Sequence, residues 1–196
     1  DLVEGILAGD PGKARLAVCP PAVYLMKVGG MLAQSEIALG AQNVCDRESG
    51  AFTGEIAASM LKECGCSYAI VGHSERRALY GESDQMVAAR FAMALQAGIT
   101  PILCLGETLD EREDGVTEAV VARQIDSAIN VSGIEGIAQS VIAYEPVWAI
   151  GTGKVASPEQ AQAVHAFIRD RLAQLDSEVA QQVQILYGGS MNPANA

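Results

Sequence analysis

The sequence predicts an α/β fold in which a parallel sheet is wrapped by crossover helices, of the closed (β/α) barrel kind. Three observations predict it. Six short runs rich in apolar and β-branched residues stand at 15–19, 37–41, 68–71, 101–105, 141–144 and 183–187, and they are continuous instead of alternating, as strands covered on both faces are. Helix-like stretches separate them. Polar, glycine-rich or charged clusters follow the carboxyl ends of several strands, where barrel enzymes collect their catalytic loops, whereas an open doubly wound sheet would gather them at one switch point.

The elements follow in order. The opening Leu2-Val3-Glu4-Gly5-Ile6-Leu7 reads as the last turns of an amphipathic helix ended by Gly9. Ile56, Met60 and Leu61 form an apolar stripe ahead of Gly65. From Ser83 to Leu95 the stripe is Val87, Phe91, Ala94 and Leu95, with Gly98 as the stop. Ser157-Pro158-Glu159-Gln160 is a helix start in which Ser caps, Pro takes the first turn and Gln closes a capping box. Its apolar face continues as Val164, Phe167, Ile168, Leu172 and Leu175, and His165 beside it is expected on the surface. Strand then helix thus recurs six times. No linker or low-complexity stretch divides residues 1–196, so a single barrel domain is expected.

Composition narrows the function. The 196 residues are 49% hydrophobic, enough for one core, and no apolar run approaches the ~20 residues of a membrane span. A net charge of −11 repels phosphate backbones and argues against nucleic acid or an anionic membrane as partner. The five cysteines, Cys19, Cys45, Cys64, Cys66 and Cys104, are scattered through apolar or strand-like segments, which fits free thiols in a reducing cytoplasm. Cys64 and Cys66 lack a second pair at metal-ligand spacing, so no zinc site is expected. Asn130-Val131-Ser132 is a sequon by chance in such a chain. The sequence opens on Asp1 and closes on Asn192-Pro193-Ala194-Asn195-Ala196, which resembles a helix start, so both ends are expected to cut through an element.

Three strand-end clusters carry chemistry. Val71-Gly72-His73-Ser74-Glu75-Arg76-Arg77 sets an imidazole beside a carboxylate and two guanidiniums; the competing reading is a histidine satisfied by a backbone bond at a strand end. Its His-x-Glu also occurs in zinc deaminases, whose Pro-Cys-x-x-Cys is absent here. Ala143-Tyr144-Glu145-Pro146-Val147-Trp148 puts a carboxylate at a strand tip ahead of a Gly-Thr-Gly stretch. With Trp148 and Ile150 folded over it, Glu145 would be desolvated and its pKa raised toward that of a general base; the alternative is a solvated Glu on a surface loop. Stiff Pro146 and permissive Gly151 and Gly153 suit the hinges of a lid. Gly153-Lys154 is not a nucleotide-type phosphate loop. Tyr187-Gly188-Gly189-Ser190 is either an ordinary turn or a cradle of backbone N–H groups for an anion.

Together, in this order and spacing, the three clusters closely resemble the triosephosphate isomerase family. The resemblance also takes in Ala17-Val18-Cys19-Pro20-Pro21, Gly40-Ala41-Gln42-Asn43, Gly50-Ala51-Phe52-Thr53-Gly54-Glu55 and Cys104-Leu105-Gly106-Glu107, and so runs along essentially the whole chain. It implies a (β/α)8 TIM barrel of which strands 2 to 7 lie in this sequence. It implies an isomerase of small phosphorylated trioses, working without metal or cofactor. Glu145 would be the base, His73 the electrophile and Glu75 a supporting residue. Pro146, Val147, Trp148, Ala149, Ile150, Gly151, Thr152, Gly153 and Lys154 would form the lid. Gly151, Ser190 and Gly189 would hold the phosphate, and Cys104 would be structural. Phe52, Thr53, Gly54 and Glu55 would be a loop that inserts into a second copy, implying a homodimer.

The sequence departs from the family pattern in two places. An Asn-x-Lys motif on a first strand and a last loop with paired glycines are not among these residues. Lys13 falls in the turn before a strand, at the end of the barrel away from the chemistry. One such electrostatic contact commonly carries ~10² to 10³ in rate, and a barrel of this type takes ~250 residues. The alternative to an active isomerase is therefore an inactive barrel fragment that needs further segments to fold and turn over.

Overall fold

The computed structural model describes residues 2–9, 12–152 and 154–191. The helix start expected from Asn192 lies outside them. Six strands form one sheet: β1 (Ala17–Val18), β2 (Ala38–Ala41), β3 (Tyr68–Val71), β4 (Thr100–Leu105), β5 (Val141–Tyr144) and β6 (Gln184–Tyr187). Every strand pairs in parallel with the next, in the order β1-β2-β3-β4-β5-β6. A doubly wound sheet reverses its strand order at a switch point. This order never reverses, so the sheet is singly wound, the arrangement of consecutive strands in a (β/α) barrel.

The helices are α1 (Leu2–Ala8), α2 (Leu25–Leu32), α3 (Ala58–Glu63), α4 (Ser74–Tyr80), α5 (Asp84–Gln96), α6 (Leu109–Glu113), α7 (Thr117–Ala138), α8 (Pro158–Ala173) and α9 (Ser177–Gln182). The capping signals act as the sequence implies. Ser83 accepts from the Met86 N–H at the start of α5, and Ser157 with Gln160 completes a capping box at α8. Crossovers β3–β4, β4–β5 and β5–β6 each carry two helices, where a single one was expected. The strand β1 is shorter than its apolar run.

The sheet's apolar side chains and the helix stripes meet in one cluster that includes Leu61, Val71, Phe91, Leu103, Ile125 and Ile168. All four residues of β5 are buried, which explains its unbroken apolar sequence. His165 departs from expectation. It is half-buried on α8, edge-on to Tyr144 with ring centroids 6.0 Å apart. A helix laid on a sheet turns the residue after Val164 inward, whatever its polarity.

Register places the chemistry. Val71 is level with Leu103, Leu103 with Ile142, and Ile142 with Ile185. The residues just past these strands, His73, Gly106, Glu145 and Gly188, therefore emerge together at one end of the sheet.

Candidate active site

His73 ends the β3 segment and caps the N-terminus of α4. The Glu75 N–H donates to its Nδ1 at 3.3 Å. A nitrogen that accepts carries no proton, so the neutral ring bears its hydrogen on Nε2. That nitrogen lies 2.9 Å from Oε1 of Glu145. Two strand ends thus bring together residues 72 positions apart in the chain. The Glu145 hydrogen bond raises the His73 pKa above its ordinary value, and burial opposes the shift.

The Glu145 side chain is 5% exposed. Its Oε2 accepts from the Ser74 N–H at 2.9 Å, at the first turn of α4. Neighbouring strand ends that lack side chains press close to it. A Cβ on Gly106 would lie 1.7 Å from the Glu145 carbonyl oxygen, and one on Gly188 would lie 2.9 Å from the Glu145 Cγ. The space on both sides of the carboxylate's residue is available to glycine alone.

Trp148 is anchored to a second buried carboxylate. Its Nε1–H donates to Glu107 at 2.9 Å. Glu107 is fully buried and also accepts from Arg112 at 3.0 Å and from the Tyr144 hydroxyl at 3.1 Å. The Arg112 guanidinium stacks 4.7 Å above the Trp148 ring. Burial and the Glu107 charge push the Tyr144 phenol far above its usual pKa. The base of the expected lid is therefore fixed to the ends of β4 and β5.

The other expected residues fall as follows. The Glu75 carboxylate is exposed, and it is its peptide N–H that reaches His73. Arg77 bonds to the Gly72 and Cys104 carbonyls and to Asp84, and Arg76 bonds to Glu82, so neither guanidinium is aimed at Glu145. Pro146 precedes a 3-10 turn at Val147–Ala149, and Gly151 has φ +69°. Thr152 Oγ1 donates to the Trp148 carbonyl at 2.7 Å and accepts from the Lys154 N–H at 3.2 Å. Gly153 lies outside the described residues. Ser190 Oγ is 3.4 Å from the Ala149 carbonyl, joining the turn after β6 to the lid segment. A Cβ on Gly189 would strike the Tyr187 ring, and Cys104 is buried beneath the site. Phe52, Thr53, Gly54 and Glu55 sit on an exposed turn, where Glu55 pairs with Arg90. Among the described residues no group of three or more His, Cys, Asp or Glu could hold a metal ion.

The family model described as Triosephosphate isomerase matches residues 2–196. A triosephosphate isomerase of Thiobacillus denitrificans is 63% identical over 180 residues, which is 92% of this chain and 73% of that protein. One from Ralstonia nicotianae is 57% identical over 196 residues, all of this chain and 79% of the relative. One from Methylococcus capsulatus is 54% identical over 196 residues, again all of this chain and 78% of the relative. The singly wound sheet, the paired imidazole and carboxylate at its end, and these matches agree that the chain belongs to the triosephosphate isomerase family.

Proposed function

We propose that the chain interconverts dihydroxyacetone phosphate and D-glyceraldehyde 3-phosphate through an enediolate, with Glu145 as the base and His73 as the electrophile. The observation that carries the assignment of roles is the 2.9 Å contact between His73 Nε2 and Glu145 Oε1 at the end of the sheet. Glu145 takes a proton from one carbon and returns it to the next. His73 donates its Nε2–H to the oxygen that gains charge, and it is suited to do so neutral, because the Glu75 N–H occupies Nδ1. A neutral histidine at a helix N-terminus, a glutamate base and a closing loop are the general chemistry of this family. In the resting site Nε2 faces Glu145, so a substrate carbonyl must take that hydrogen bond before the carboxylate turns to carbon.

An anionic substrate on a chain of charge −11 requires local donors. The peptide N–H groups of Gly151, Gly189 and Ser190 are assigned to the phosphate, the first on the lid and the others on the turn after β6. Closure of residues 146–154 would exclude water and prevent loss of phosphate from the enediolate.

The partner is assigned as a second copy of the chain. Phe52 is 45% exposed at the tip of its turn, and Leu79 and Tyr80 are exposed beside a hollow of about 300 Å³ next to His73 and Glu75. Sedimentation of Phe52→Asp is expected to show a monomer; an unchanged dimer would remove the turn from the interface. A cytoplasmic location fits the five free thiols, and among the described residues no helix is long and apolar enough to cross a membrane.

The decisive experiment is isomerisation of glyceraldehyde 3-phosphate by the full chain, by Glu145→Gln and by His73→Gln. Turnover is expected to fall by ~10³ or more in the first and ~10² or more in the second. Wild-type turnover in Glu145→Gln would overturn the assignment.

A further inference from the structure

We propose that Gln124, on α7 and far in sequence from every strand-end cluster, is a positioning residue for Glu145. Its side-chain amide holds both backbone groups of one residue, and so the two peptide units that flank it: Oε1 accepts from the Gly106 N–H at 2.8 Å, and Nε2 donates to the Gly106 carbonyl at 3.1 Å. Gln124 is 6% exposed, so both bonds are shielded from competing water.

Gly106 is the point at which Glu145 leans on β4. The Glu145 N–H donates to the Leu105 carbonyl at 2.7 Å, and the Val147 N–H donates to the Glu107 carbonyl at 3.1 Å. The Gly106 peptide lies between these two bonds, so close to Glu145 that a Cβ would sit 1.7 Å from its carbonyl oxygen. A displacement of Gly106 therefore displaces the backbone of Glu145 with no slack between them. The platform that holds Gln124 is itself fixed. Ser127 Oγ donates to the Asp84 carbonyl at 3.0 Å, Arg123 pairs with Asp84, and Arg171 on α8 grips Asp126 at 3.0 and 2.5 Å. A braced helix thus sets the height of one residue, and the backbone of that residue sets the carboxylate.

The inference rests on Glu145 being the base, and its test separates the two. Gln124→Leu fills the same space without either hydrogen bond. Its kcat for glyceraldehyde 3-phosphate is expected to fall by ~10- to 100-fold with KM changed less than about threefold, since a misplacement near 1 Å costs up to ~10² and the assigned phosphate donors lie on other loops. Gln124→Glu supplies a second readout and carries the test if Gln124→Leu does not fold. The protonated carboxyl has one donor and one acceptor like the amide, whereas the ionised one has no hydrogen for the Gly106 carbonyl. The kcat of Gln124→Glu relative to wild type is therefore expected to rise as pH is lowered. A Gln124→Leu kcat within twofold of wild type, with melting alone affected, would reduce Gln124 to a structural residue and overturn the proposal. So would a ratio for Gln124→Glu that does not change with pH. Glu145→Gln distinguishes the cases: wild-type turnover there removes the base assignment and the proposal together, whereas a dead Glu145→Gln beside an unimpaired Gln124→Leu removes the proposal alone.

Discussion

Glu107→Gln tests whether one buried carboxylate ties the lid to the barrel wall. Oε1 of Glu107 receives three donors, from Arg112 at 3.0 Å, Tyr144 at 3.1 Å and Trp148 at 2.9 Å, while among the described residues Oε2 has only the Tyr144 hydroxyl, at 3.2 Å. A glutamine can place its carbonyl at the Oε1 position and donate its amide hydrogen to the tyrosine oxygen, so geometry is kept and charge is lost. Charge-assisted hydrogen bonds are roughly twice as strong as neutral ones, and each is worth about 1.5–3 kcal/mol. Halving the Tyr144 and Trp148 bonds removes about 1.5–3 kcal/mol, and the bond from Arg112, whose guanidinium stays charged, loses its ion-pair part as well. Relief of the cost of burying a charge offsets part of this, and Arg112, at 25% exposure, recovers part by hydration. A net loss of about 2 kcal/mol is expected in urea unfolding. The chain's single tryptophan is the lid residue itself, so its fluorescence reports the anchor directly. Emission is expected to shift as the indole loses its charged partner. Unchanged midpoint and unchanged emission would refute the anchoring argument.

Glu145→Gln should return the His73 pKa toward 6.5, read by NMR of the ring, because the carboxylate that favours the imidazolium is gone. A raised pKa adds stability that is full below the unfolded value and is lost as pH rises through the folded value, so the stability gap to wild type should narrow above about pH 6.5. Gly106→Ala should cost more than about 3 kcal/mol and most of the activity, since backbone atoms at 1.7 Å cannot yield as a side chain would; a soluble, fully active variant would show that β4 adapts. Burial pushes the Cys19 and Cys66 thiols up to about 11, so both should react with a disulfide reagent at pH 8 at least ~10²-fold more slowly than a free thiol.

What was legible in the sequence is what depends on local pattern. The continuous apolar runs at 68–71 and 141–144 became strands at the same residues, because burial on both faces leaves no room for alternation. Ser157 and Gln160 marked a helix start because a capping box is closed within four residues. The pairing of His73 with Glu145 was legible through resemblance, since nothing local in either cluster names the other. Gln124 carried no signal at all: its role depends on which turn of α7 faces the end of β4. The anchor of Trp148 carried no local signal: in sequence the indole offers apolar area, while in the fold its N–H meets a buried carboxylate 41 residues away. His165 was read as surface because polarity was weighed without the helix's rotation over the sheet, and its Nε2 is buried without a hydrogen-bond partner among the described residues.

The contact between His73 and Glu145 also bears on selectivity. With no substrate bound, each group is the other's partner, so neither is free to act on a passing metabolite. On the roles proposed above, a molecule must offer an acceptor to the imidazole and an acidic carbon to the carboxylate at the same moment to separate them. A compound with one of these features leaves the pair latched, and discrimination then begins at the opening of that latch, ahead of any proton transfer.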